Sequence, residues 1–82
     1  PADRTADAIC SEVARLLKTE RVKRGFSLNA LAERAGLSRQ TVSFVEQELR
    51  IPTLGTLLRL TAALEVDLEK IIARARRSVS VS

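Results

Sequence analysis

Few residues in this chain could make or break a bond. Its 82 residues include no His and a single Cys at position 10, so the commonest general base and metal ligand is missing, and neither an internal disulfide nor a cysteine zinc cluster can form. Cys10 falls within a helical pattern, where a buried packing role is expected of it. The carboxylates have ordinary surface or ion-pair explanations. No catalytic residue, metal or cofactor is expected. The chemistry on offer is hydrogen bonding: Arg39, Gln40 and Ser43, with Phe44 beside them, cluster in residues 39–47, whose other face carries Val42 and Val45. A guanidinium or a carboxamide can form two parallel hydrogen bonds with a matching planar edge. That is recognition, not reaction.

Such a face needs elements to hold it out. Residues 27–47, SLNALAERAGLSRQTVSFVEQ, contain two short helical patterns meeting across a turn of fixed length. Ser27 and Ser38 can each N-cap a helix, and each has an apolar residue before it and another at the fourth helical position, so that Phe26 staples to Leu31 and Leu37 to Val42. Gly36 falls where the first helix must stop and the chain turn through a left-handed conformation, which a residue without a Cβ adopts at least cost. Only Leu37 and Ser38 remain before the next helix. Helices joined so tightly cross steeply, and Ala32 is the small residue that lets them approach. The pattern is a helix-turn-helix.

The rest of the chain reads as support. Hydrophobic residues make up 45%, Phe is the only aromatic type, and there are three Gly and two Pro. This predicts one all-α domain with an aliphatic core, a compact five-helix bundle whose ordered core covers about residues 6–77. Residues 1–5 read as a frayed lead, and the missing initiator Met suggests processing or a start inside a longer chain. Ile9, Val13, Leu16 and Leu17 predict a first helix over about 6–24, with Lys23 and Arg24 in its last turn, where the helix dipole favours cations. The second helix covers about 28–35, with Leu28, Leu31 and Ala32 inward, and the third about 39–47. Pro52 and Thr53 open a fourth over 54–64. Its apolar positions Leu54, Leu57, Leu58, Leu60 and Leu64 make a stripe too broad for one neighbour, which predicts a central helix. Asp67 is placed to cap a fifth over about 68–76, with Val66 and Ile71 as a third staple. Arg74, Arg76 and Arg77 end that helix as a solvated cationic terminus, and residues 78–82 read as disordered.

The net charge of +4 and sequence pI near 10.2 suit a polyanionic partner without requiring one. No apolar run approaches the length that spans a bilayer, and the first residues lack the hydrophobic stretch of a signal peptide. A cytoplasmic location without a membrane partner is therefore expected.

Two segments carry a family resemblance: LAERAGLSRQTVSFVE at 31–46 and RIPTLGTLLRLTAALEVDLEKII at 50–72. With Ala32, Gly36, Val42, Glu46, Pro52, Leu57 and Leu64 at matching spacing, the chain resembles the Cro and phage-repressor class of helix-turn-helix DNA-binding domains, including the controller proteins of restriction-modification systems. There are departures. Leu28 replaces the Gln that commonly begins the second helix and contacts phosphate there, and Glu48 and Glu65 stand where glycines are usual. Were those two left-handed, each would cost about 1 kcal/mol, so the third helix could instead run past Gln47.

The resemblance implies a sequence-specific transcriptional regulator that binds double-stranded DNA with its third helix in the major groove. There Arg39 can address guanine and Gln40 adenine. Ser43 lies one turn on, and Phe44 either contacts a thymine methyl or packs within the domain. Phosphate contacts are expected from Arg50, from Ser27, Ser38, Thr41 and Thr53, and from the amides at the starts of the second and fourth helices. The resemblance also implies a structural ion pair between Arg21 and Glu46, and a homodimer on a palindromic operator. The excess apolar positions Leu68, Ile71, Ile72 and Ala75 of the fifth helix point to its interface, with Ile72 and Ala75, and Leu58 or Val66, as the exposed part. The alternative function is an antitoxin or adaptor module whose main ligand is a protein such as a toxin, since fold alone does not assign function.

Overall fold

The computed structural model describes residues 4–81, with side chains described over 5–80. Five helices follow one another: α1 (Arg4–Lys23), α2 (Leu28–Ala35), α3 (Arg39–Glu46), α4 (Leu54–Leu64) and α5 (Leu68–Val81), and there is no strand among the described residues. Three helices begin in the same way. Ser27 Oγ accepts the Ala30 amide at 3.0 Å, Ser38 Oγ the Thr41 amide at 3.0 Å, and Thr53 Oγ1 the Thr56 amide at 3.1 Å, each satisfying one amide that a helix start leaves without a partner. Asp67 opens α5 differently. Its main-chain carbonyl accepts from the Lys70 and Ile71 amides, and its carboxylate stands 3.5 Å from Lys70 Nζ instead of capping an amide.

Four helix ends also share a design. After α1, α2, α3 and α4 the chain turns through a left-handed residue, Gly25, Gly36, Glu48 and Glu65, with φ of 75°, 69°, 60° and 58°. The next residue in each case donates back to the carbonyl five positions earlier: Phe26 to Arg21, Leu37 to Ala32, Leu49 to Phe44 and Val66 to Thr61. These bonds cover carbonyls the helices leave open. The glutamates at 48 and 65 therefore do take the left-handed conformation, and α3 stops at Glu46; the back-bonds offset the strain of a Cβ there.

The core is aliphatic: Leu17, Leu31, Val42, Leu60, Leu64 and Ile71 are the largest side chains fully removed from water, and Phe26, Leu37 and Val66 pack half-buried around them. Two elements share its centre: α1 packs on α3, α4 and most extensively on α5, and α4 packs on α1, α2 and α5, on more than one side as its leucine stripe predicts. Within that stripe Leu54 and Leu58 lie 64% and 52% exposed. Two polar links tie α1 to α5. Buried Glu20 pairs with Arg24 and reaches Arg74 at 3.6 Å, and Ser78 Oγ donates to Glu12 Oε2 at 2.7 Å. Hydrogen bonding from Arg24 holds the Glu20 carboxyl below its ordinary value; Arg15, helped by Ser78, lowers that of Glu12 to about 2.

Several expectations are corrected. The tail is not disordered: Ser78 lies within α5, which runs to Val81, because α1 supplies its side with partners; Ser82 lies outside the described residues. Arg4 and Thr5 are already helical, and the remaining lead, residues 1–3, lies outside the described residues. Cys10 is exposed. Leu68, Ile71 and Ala75 are 8%, 1% and 0% exposed, so these three finish the monomer core and leave no apolar face for a second copy; Ile72 is partly covered against the same core.

Candidate nucleic-acid interface

α3 has only eight residues, too few to persist alone in water, and its inward face shows what holds it. Val42 and Val45 are 1% and 3% exposed, against Leu31, Ala32 and the rest of the core. At its end Glu46 receives a two-pronged ion pair from α1: Arg21 Nε lies 2.7 Å from Oε2 and Arg21 Nη2 3.0 Å from Oε1, while Arg21 Nη1 donates to the Phe26 carbonyl at 2.7 Å. One guanidinium thus ties α1, the turn before α2 and the end of α3 together. Both side chains are largely buried, and the planar fork suits the carboxylate.

The outward face is open. Arg39 and Gln40 occupy the first turn of α3 and are exposed, and among the described residues no carboxylate pairs with Arg39. One turn on, the half-buried Ser43 hydroxyl accepts from Gln47 Nε2 at 2.6 Å. Ser43 and Gln47 border a cleft of about 130 Å³ with Lys18, Leu28 and the Arg21–Glu46 pair. Lys18 and Gln47 were not singled out from the sequence. Lys18 is only one exposed polar position among several on α1, and nothing in its spacing shows that α1 crosses behind the end of α3. Leu28, in place of a polar contact, packs half-buried against the core.

A second cleft, of about 230 Å³, brings together residues far apart in the pattern: Thr41 and Phe44 of α3, Arg50 of the loop, and Pro52, Thr53 and Thr56 at the start of α4. The Arg50 guanidinium lies over the Phe44 ring, 5.1 Å from its centroid. Of the hydroxyls, Ser38 and Thr41 bond each other at 2.7 Å and Thr53 donates to Thr56 at 3.1 Å. Ser27 stands apart from this cleft, at the start of α2. The arrangement offers an exposed Arg–Gln pair flanked by a loop arginine and the free amides of capped helix starts. It suits a polyanion with a readable edge.

Comparison with known proteins agrees. The helix-turn-helix family profile matches residues 17–71, while no curated protein sequence matches the chain. Among solved structures, the chain is similar to the master regulator for biofilm formation SinR in complex with DNA (30% identity over 73% of this chain and 97% of that one, TM-score 0.68). It is also similar to the SinR protein/SinI protein complex (27% identity, 80% of this chain and 65% of that one, TM-score 0.72). A third is the hypothetical transcription factor NHTF from Neisseria (26%, 95% and 89%, TM-score 0.73). With a fold of five helices joined by left-handed turns and α3 presented on the outside, the chain belongs to the helix-turn-helix family of DNA-binding transcription regulators, which are not enzymes.

Proposed function

We propose that this protein reads a specific double-stranded DNA site through α3, as a homodimer on a two-fold-symmetric operator. The observation that carries the reading is the contrast in α3: Arg39 and Gln40 are exposed and uncommitted on a helix whose other side is pinned by Val42, Val45 and the Arg21–Glu46 pair. Arg39 donates to guanine N7 and O6 and Gln40 pairs with adenine, with Ser43 one turn deeper. Arg50, Thr41, Thr53, Ser38 and Ser27 address the backbone, with the amides at the starts of α2 and α4. Binding to DNA upstream of the gene, compared with a scrambled duplex across a salt series, tests this. Preference for the upstream site that falls with Arg39→Ala is expected; equal affinity for both duplexes would refute it.

The surface of α4 supports the dimer. Leu54 and Leu58 are 64% and 52% exposed and fall at the i, i+4 spacing of one helix face, and Ile51, in the loop before the helix, is 75% exposed. A short reading helix covers only half a palindrome, and an isologous contact through this row would cover the apolar surface while holding two α3 helices about one DNA turn, roughly 34 Å, apart. Part-exposed Ile72 is the residue of α5 that could extend the contact. Sedimentation of Leu58→Asp beside the wild type checks it, with loss of the dimer expected; a wild type that stays monomeric at micromolar concentration excludes it.

The same apolar row favours a second reading, in which a protein partner such as a toxin or antagonist covers α4; one similar structure holds SinR together with SinI protein. Stable co-purification of a second polypeptide with wild type, lost in Leu58→Asp, would support it.

A further inference from the structure

We infer that Phe44 is a positioning residue, and that it holds Arg50 for the DNA backbone instead of reading a base. Among the described residues there are two Arg–Phe stacks, and they differ in what the guanidinium does next. Arg34 lies 4.9 Å from the centroid of Phe26, but its Nε also donates to the Ala63 carbonyl at 3.3 Å and its Nη2 stands 3.7 Å from Glu65. That arginine clasps α2 to α4. Arg50 has the ring contact at 5.1 Å and, among the described residues, no hydrogen-bond or carboxylate partner; neighbouring Glu48 makes no ion pair with it.

The turn after α3 produces this contact. Left-handed Glu48 and the Leu49 N–H to Phe44 carbonyl bond of 2.9 Å fold the chain back over the last turn of α3, which sets Arg50 above the ring. A stacked guanidinium uses its face, so its N–H edge stays free for an oxyanion. The ring itself is half-buried in the cleft with Thr41, Pro52, Thr53 and Thr56, set back from the exposed Arg39 and Gln40. Without the ring, a loop arginine must be ordered at the moment of binding, and the lost rotamer freedom weakens its contact.

This inference rests on the DNA-binding reading above, and binding of Phe44→Leu, Phe44→Tyr and Arg50→Ala, singly and combined, to operator and random duplex tests it. Leu keeps an apolar side chain in place and Tyr restores the π face. Phe44→Leu should weaken both duplexes alike, about three- to fivefold, should have no further effect in the Arg50→Ala background, and should be reversed in Phe44→Tyr. In the free protein, the Arg50 Nε–H resonance should lose its ring-current shift in Phe44→Leu and keep it in Phe44→Tyr. A loss confined to one base pair, or a loss of equal size with and without Arg50, makes Phe44 a base reader and overturns the inference while leaving DNA binding intact. Failure of the wild type to bind either duplex overturns both.

Discussion

The two ends of α3 are built in opposite ways. The C-terminal end carries a carboxylate, Glu46, that is fully engaged by Arg21 and largely hidden from water, while the N-terminal end carries Arg39 and Gln40, exposed and without an ion-pair partner. A charge beside DNA is useful only if positive and free; a negative one must be answered. Anchoring one end leaves the other able to present its groups without being ordered by the ligand. The lesson is that fixed position and free chemistry are assigned to different residues of the same two-turn helix.

That division can be attacked from either end. The largest effect is expected at the anchor: Arg21→Ala or Glu46→Ala leaves an unpaired, largely buried charge and should cost about 3 to 5 kcal/mol of stability. Urea unfolding reads this, and a double-mutant cycle should show strong coupling. At the free end, Arg39→Ala should leave the unfolding midpoint almost unchanged yet cost about 1 to 3 kcal/mol on the operator and much less on random DNA. Comparable losses of stability in both variants would erase the distinction. Smaller changes sharpen it. Ser38→Ala removes the cap of the free end, and thermal unfolding should register a loss of about 1 kcal/mol. Glu48→Gly, just past the anchored end, relieves a left-handed Cβ and should stabilise by about 0.5 to 1 kcal/mol, provided Arg50 keeps its place; a fall in melting temperature would show that the Glu48 side chain does something the geometry does not reveal.

Much of this was legible in the sequence because it is local. Caps at Ser27, Ser38 and Thr53, the glycine stop at Gly36 and the apolar period of each helix depend on residues within one or two turns, and the helices lie close to where those signals put them. Burial was harder. Cys10, Leu54 and Leu58 look like core by type, and Ala75 looks spare on α5, yet which side of a helix is covered depends on how α1 crosses the others, and no short spacing encodes that. The left-handed glutamates were visible as departures, but their back-bonds come from the turn as a whole. In the candidate site, α3's outward face was readable from periodicity, whereas the stacking of Arg50 on Phe44 and the approach of Lys18 arise only once loop and helix are folded together.

The clasp between α1 and α5 has a consequence for how the chain is made. Glu12 and Ser78 stand 66 positions apart, while the contacts that build α2, the turn and α3 join near neighbours and can form early. During synthesis the reading motif leaves the ribosome before α5 exists, and throughout that interval the side of α1 that α5 covers stays wet and available to other chains. A chain cut at Asp67 would retain every residue proposed to touch DNA and lose Ile71 and Ala75 from its core. The piece that spells the motif is therefore shorter than the piece that completes the core.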